Sequence, residues 1–306
     1  MVRFDARRTA VIHGPPPAVH DALTNFETWP KWSPWLVAQP DASINIDGPR
    51  GGEGATYAWS GNIIGRGTLR HRSITDDVIR QELRIEEPFA SVGETAFELR
   101  PTGDGSTEVT WRMRGNLPWF LFWMRGKMGS VVGMDYDRGL RRLDAYVRHG
   151  HVPMSAEVIG EVTAPRHRIV GLGGRSQMKT LDADIARVFE RIASKRPQSV
   201  QPPAGPVGTI YDHFDMKTET FDYFTGDVDA PSIDGLAERP CGGCRCLHVR
   251  HTGSYHFLAD AWSVAYQIAG HRKLKLTKTP SFEINVNHHT APADDQRVTE
   301  IYLPVG

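Results

Sequence analysis

From residue 158 onward one pattern of elements occurs twice, and this repetition restricts the possible folds more than any other feature of the chain. Residues 158–172 are extended. Leu181, Ile185, Val188, Phe189 and Ile192 then recur at helical spacing, and residues 209–214 and 219–228 read as two strands. The second copy has an extended segment at 245–250 and a helical stripe of Leu258, Ala261, Trp262, Ala265, Ile268 and Ala269. Two more strands follow at 282–287 and 298–305. A duplicated strand–helix–strand–strand unit predicts a single sheet about a pseudo-twofold axis, with a cleft where the copies meet.

The first half is built differently. A strand over residues 8–13 runs into Gly14 and Pro15–Pro17, and Val19, Ala22, Leu23 and Phe26 then fall at helical spacing, with proline tolerated in the first turn. Strands are expected at 56–61, 67–73, 78–86, 94–100 and 107–115. The last two are joined by the turn sequence Pro101-Thr102-Gly103-Asp104-Gly105. A long closing helix carries Val132, Tyr136, Leu140, Leu143 and Val147 on one face. The predicted class is therefore α+β in both halves.

Tryptophan separates the halves further. Seven of the 8 tryptophans (Trp29, Trp32, Trp35, Trp59, Trp111, Trp119 and Trp123) precede residue 150. Such density suits an aromatic-lined cavity or a bulky core. The apolar run from Leu117 to Met124 is read as buried between the last strand and the long helix, rather than as a pocket gate or a membrane-touching loop. Arg112 and Arg114 alternate with Trp111 and Met113, so they belong on the solvent face of a half-buried strand. His13 and His20 have no motif around them and read as structural.

A length of 306 residues accommodates two domains. We place them at 1–149 and 158–306, with a linker at 150–157 containing Gly150, Pro153 and Ser155. The 36 Lys+Arg balance the 36 Asp+Glu, and the balance also holds within residues 1–150, so no basic footprint for nucleic acid exists. The N-terminal residues lack a signal-peptide run, and no apolar stretch approaches about 18 residues. A soluble cytoplasmic protein without a membrane span is expected. Its 3 cysteines, crowded into residues 241–246, fit a reducing compartment better than a disulfide framework.

The residues Pro16–Leu23, Phe26 and Trp29-Pro30-Lys31-Trp32-Ser33-Pro34-Trp35 resemble the START-like superfamily (SRPBCC, polyketide cyclase and dehydrase-like proteins). Thr95–Leu99, Thr107–Trp111, Gly139, Leu140 and Leu143 extend the likeness to about residue 148. The resemblance implies a helix-grip fold, in which a curved antiparallel sheet wraps a long C-terminal helix around a cavity for a hydrophobic ligand. It does not assign chemistry.

The second half resembles the GyrI-like, or bacterial effector-binding, domain. The matching residues are Val249–Tyr255, Pro280-Ser281-Phe282-Glu283 and the closing Thr299-Glu300-Ile301-Tyr302-Leu303-Pro304-Val305. That likeness implies binding of small, apolar or cationic molecules. Relatives include sensor domains of multidrug-responsive regulators, a gyrase inhibitor, and hydrolases of strained cyclopropane compounds. The family's central pocket acid maps to Glu283.

Alternation of side chains along strands gives that mapping a geometry. Phe282, Ile284 and Val286 are expected on the helix-covered face, and Glu283, Asn285 and Asn287 on the other. On the last strand Ile301 and Leu303 take the helix face, leaving Glu300 and Tyr302 opposite. Glu283 and Tyr302 are thus expected to converge in the cleft, with Asn285 and Glu300 nearby and Tyr211 and Tyr223 lining the other side. A buried carboxylate among aromatic rings can offset a ligand cation. Desolvation would also suit it to general acid or base work.

The site residues expected to bind ligand are therefore Glu283, Tyr302, Tyr211, Tyr223, Glu300 and Asn285. The alternative is hydrolysis of a reactive electrophile, with Glu283 activating water and Tyr302 donating a hydrogen bond. A gyrase-inhibitor-like interaction module is the weakest reading. The spacing of Cys241, Cys244, Cys246 and His248 is compatible with zinc, but the segment is read as a loop with incidental thiols. His288 and His289 adjoin and do not readily share a metal. No metal or cofactor is expected, and no phosphate loop or nucleophile elbow occurs.

Overall fold

Alternating apolar residues build the first sheet, and one long amphipathic helix covers it. The computed structural model describes residues 2–88, 90–117, 125–196 and 205–306, with the side chains of 2–4, 116–117, 125–128 and 182 left aside. The chain divides into two compact units, Met1–Pro153 and Met154–Gly306.

In the first unit the strands are β1 (Val2–Ile12), β2 (Ser43–Asp47), β3 (Thr56–Gly61), β4 (Gly65–Ile74), β5 (Val78–Glu87), β6 (Ser91–Pro101) and β7 (Thr107–Leu117). They form one antiparallel sheet in the order β1-β7-β6-β5-β4-β3-β2. Two short helices, α1 (Pro16–Thr24) and α2 (Trp29–Trp32), follow β1, and α3 (Arg125–His149) closes the unit against β1 and β7. This is the helix-grip arrangement. β2 was not anticipated: its five residues are almost wholly exposed, so it carries little of the apolar signal that marks a strand.

The α3 stripe of Tyr136, Leu140 and Leu143 meets Ile79, Phe97, Val109 and Trp111 of the sheet, Val19, Leu23, Trp29 and Trp32 of the short helices, and Phe26 between those helices in one core. Two buried arginines of α3 fasten the end of α2 and the loop that follows: Arg142 donates to the Trp32 carbonyl (3.0 Å) and Arg138 to that of Pro34 (3.3 Å). α3 can approach Trp111 because residue 139 is glycine, where a Cβ would lie 2.6 Å from the indole. Arg112 and Arg114 lie on the outer face, paired with Asp5.

The second unit contains β8 (Met154–Thr163), β9 (His167–Gln177), α4 (Leu181–Lys195), β10 (Val207–Asp215), β11 (Thr220–Val228), β12 (Ala237–Cys241), β13 (Arg245–Gly253), α5 (Leu258–His271), β14 (Ser281–Asn285) and β15 (Val298–Pro304). The sheet order β12-β9-β11-β10-β14-β15-β13-β8 makes the duplication explicit. The copies β9-α4-β10-β11 and β13-α5-β14-β15 meet at the antiparallel pair β10–β14, in mirrored order about that seam.

Each copy is preceded by a strand that crosses to its sister. β8 pairs with β13, and β12 pairs with β9. The single extended segment expected at 158–172 is therefore two strands in different parts of the sheet. They are parted at 164–166, where Pro165 has no N–H to give a ladder. β8 also begins at Met154, within the stretch read as a linker, because residues from Met154 onward pair with β13.

Candidate functional site

β14 lies at the seam, flanked by β10 and β15, and its register decides what each side chain meets. Glu283 sits between Thr209 and Ile301, whereas Phe282 sits between Ile210 and Tyr302. Directly opposed residues share a sheet face. Glu283 and Tyr302 are therefore on opposite faces, and the expected convergence does not occur. α5 identifies the Glu283 face as the covered one, since the Trp262 indole N–H donates to Glu283 Oε2 at 2.8 Å.

The helix-face expectation was right for Ile301 and reversed for Phe282 and Ile284. Those two pack with Tyr302, Ile169, Ile210, Phe224, Val228 and Cys246 in a second core on the other side. Both faces are buried, so alternation sorts the residues into two sets without saying which set the helices cover. Val286 is exposed beyond the end of β14, and Asn287 closes the hairpin by accepting from the Val298 N–H.

Glu283 is only 3% exposed. Tyr211 stands edge-on to Trp262, with centroids 5.5 Å apart and planes at 87°, and touches Phe221 on its other side. Tyr223 pairs with Tyr211 across the strands and is buried beneath Val188 and Ile192 of α4. The floor around the carboxylate is polar but internally satisfied. Thr209 and Thr225 share a hydrogen bond of 2.9 Å, and Thr299 donates to Asn285 Oδ1 at 2.7 Å.

A further group stands at the rim. The Tyr255 hydroxyl and His288 Nδ1 share a hydrogen bond of 2.9 Å, and the His288 ring also stacks on Phe189 of α4 at 5.9 Å. Burial raises the Tyr255 hydroxyl well above its ordinary range; Arg297, over its ring at 4.7 Å, opposes this, while the charge of Glu283 adds to it. Burial likewise lowers His288, with His289 and Arg297 contributing, so the ring is neutral near neutral pH. Trp262, Tyr255, His288 and Phe189 were not among the expected site residues. Trp262 had a usable signal: it is the sole tryptophan after residue 150, and a buried indole N–H requires an acceptor.

Glu300 and Tyr302 belong to a different cluster. Glu300 is hydrogen-bonded by His248 Nε2 (2.6 Å) and by Arg250 (2.7 Å), and the rings of His248, Tyr302 and Phe282 stack in series at 4.6 and 4.8 Å. Burial alone would raise the Glu300 carboxyl, but the bonds from His248 and Arg250 outweigh it and hold the group below its ordinary value of 4.5. Burial pushes the Tyr302 hydroxyl up to about 12, with Glu300 and Cys246 adding to the shift. The hydrogen-bond donor assigned to hydrolysis thus faces away from Glu283.

A depressed folded-state carboxyl contributes stability that is complete above its unfolded pKa and is lost as pH falls through the folded one. The acid limb below pH 4.5 should therefore be shallower in Glu300→Gln than in wild type. Superimposable acid denaturation curves would refute a stabilising role for the triad.

Cys244 and Cys246 place their sulfurs 3.6 Å apart, while His248 is engaged by Glu300 rather than by a thiol. Among the described residues no group of three or more His, Cys, Asp or Glu side chains is arranged to hold a metal ion. No helix among them is long and apolar enough to cross a membrane. In the first unit Trp29, Trp32, Trp35 and Trp111 pack on one another and on Phe97 and Tyr136. From residue 118 onward, the apolar run through Met124 lies outside the described residues. His13 pairs with Asp144, and His20 bonds the Thr75 carbonyl.

A model of the family described as polyketide cyclase / dehydrase and lipid transport matches residues 3–148, and a model described as a GyrI-like small molecule binding domain matches residues 159–306. No curated protein matches the sequence. Similar solved structures include protein CV1439 from Chromobacterium violaceum, with 17% identity, 47% of this chain and 96% of that chain covered, and a TM-score of 0.36. CalU16 from Micromonospora echinospora has 17% identity, coverage of 50% and 86%, and a TM-score of 0.34. Protein MLL2253 from Mesorhizobium loti has 16% identity, coverage of 48% and 99%, and a TM-score of 0.36.

Proposed function

Since the chain joins a domain of the polyketide cyclase / dehydrase and lipid transport family to a GyrI-like small molecule binding domain, we propose that it carries two separate ligands. The first unit takes a hydrophobic molecule. The second takes an apolar cation at Glu283. The observation that carries the second assignment is the burial of the Glu283 carboxylate under α5, bonded by Trp262 with Tyr211 edge-on to that indole. A carboxylate offsets the ligand charge, and the rings add dispersion and cation–π attraction that water cannot match.

Trp262 has a positioning role. Its N–H fixes one carboxylate oxygen and so sets the direction in which the charge is presented. A hydrogen bond to a charged group contributes roughly 1.5–3 kcal/mol, so its loss should be measurable.

The test is calorimetry on the full chain with tetraphenylphosphonium as the probe. Glu283→Gln keeps the shape and removes the charge, and should weaken binding at least tenfold. Trp262→Phe should weaken it less, while Tyr302→Phe, altered on the opposite face, should leave it unchanged. Equal affinities for wild type and Glu283→Gln would sink the assignment, and a loss in Tyr302→Phe alone would move the site to the other face.

A further inference from the structure

Cys241, Cys244 and Cys246 lie together where β12 turns into β13, and Cys246 also packs beside Tyr302. Cys241 ends β12 and Cys246 lies on β13, joined by a turn in which Gly242 and Gly243 both have positive φ, 79° and 73°. Two successive residues in this region strongly favour glycine. The turn is clamped: the Gly243 N–H donates to the Ala164 carbonyl (2.8 Å), and the Ala164 N–H donates to that of Cys244 (2.9 Å).

The clamp holds the Cys244 and Cys246 sulfurs in contact at 3.6 Å. All three thiols are free. Cys246 is buried, whereas Cys244 is partly exposed, so the pair can be approached from one side. The surroundings are apolar, with Val162, Ala164 and Ile169 in the same cluster. Burial pushes the Cys246 thiol up to about 12, with Cys244 adding to the shift, and the Cys241 thiol up to about 11.

These conditions select among thiol chemistries. A divalent cation needs thiolates, whose charge an apolar site disfavours, and the described residues offer no third ligand in place. Peroxide chemistry also proceeds through a thiolate. A trivalent arsenical requires no thiolate in the net reaction. An organoarsenic(III) oxide condenses with two protonated thiols, forming two As–S bonds. Both sulfhydryl protons leave with the arsenic-bound oxygen as one water, no atom changes oxidation state, and the product is neutral.

We propose that Cys244 and Cys246 form a dithiol site for trivalent arsenicals, held ready by the Gly242–Gly243 turn. The test uses the full chain, reduced with a phosphine and titrated with phenylarsine oxide, and reads intact mass. One adduct per chain, formed with loss of water and reversed by 2,3-dimercaptopropanol, is expected. Cys244→Ser, at the partly exposed position, should lower adduct affinity at least a hundredfold. Cys241→Ser should leave it within twofold. Because Cys246 is fully buried, Cys246→Ala is compared only after circular dichroism shows native folding. Absence of an adduct in wild type, retention in Cys244→Ser, or loss in Cys241→Ser would each overturn the proposal.

Discussion

Trp111→Ala is expected to cost about 3–5 kcal/mol of stability in the first unit, the range for removing a large aromatic side chain from a packed core. Trp111 is 1% exposed and lies 4.0 Å from Tyr136 in a parallel stack and 4.7 Å from Phe97, with Trp32 and Trp35 presenting edges. Its N–H donates to Thr95 Oγ1 at 2.9 Å, and Thr95 Oγ1 is also 3.2 Å from the Tyr136 hydroxyl. Truncation would empty the space under α3 and break this chain of hydrogen bonds together.

Trp111→Phe separates the two effects by keeping much of the ring while removing the N–H; a typical net hydrogen bond contributes about 1 kcal/mol. Urea denaturation followed by far-ultraviolet circular dichroism would measure both variants. The result also decides what the tryptophan-rich half contains. A cost below about 1 kcal/mol for Trp111→Ala would mean that the ring borders open space rather than filling a core.

Local patterns make most elements legible in the sequence. The alternation in 78–86 and 107–115, the turn at Pro101–Gly105 and the stripe on α3 each depend on near neighbours along the chain. Their elements lie where expected. The repeat is legible for the same reason, as two copies with matching periodicity. Its crossed leader strands are not. β8 pairs with β13 across some ninety residues, and no local property of Val158 or Ile159 encodes that partner.

Glu283 is legible through resemblance, and its burial agrees with a special position. Its companions are obscured by the burial of both sheet faces. Along β14 every residue from Phe282 to Asn285 is buried, so the polar–apolar contrast that normally points a strand's face toward the core is absent. In the sequence Trp262 stands out as the one tryptophan of the second half, yet nothing local names the acceptor of its N–H. The contact across to β14 supplies it.

The separation of the two faces leads to the other large effect. Phe282→Ala should cost about 3–5 kcal/mol in the second unit, because the ring is 1% exposed at the seam of the two copies. It packs at 4.8 Å on Tyr302, which in turn stacks on His248, so truncation would loosen the ring stack that backs the Glu300 ion pairs. The adjacent residue should respond in the opposite way. Glu283→Gln removes a charge yet retains an acceptor for Trp262, so its stability change should be the smaller while its effect on cation binding is the larger. Measuring both properties for both variants gives a crossed pattern if β14 divides a structural face from a ligand face. A Phe282→Ala protein that stays folded but loses cation affinity as completely as Glu283→Gln would instead mean that both residues serve one site, and the division argued from register would be wrong.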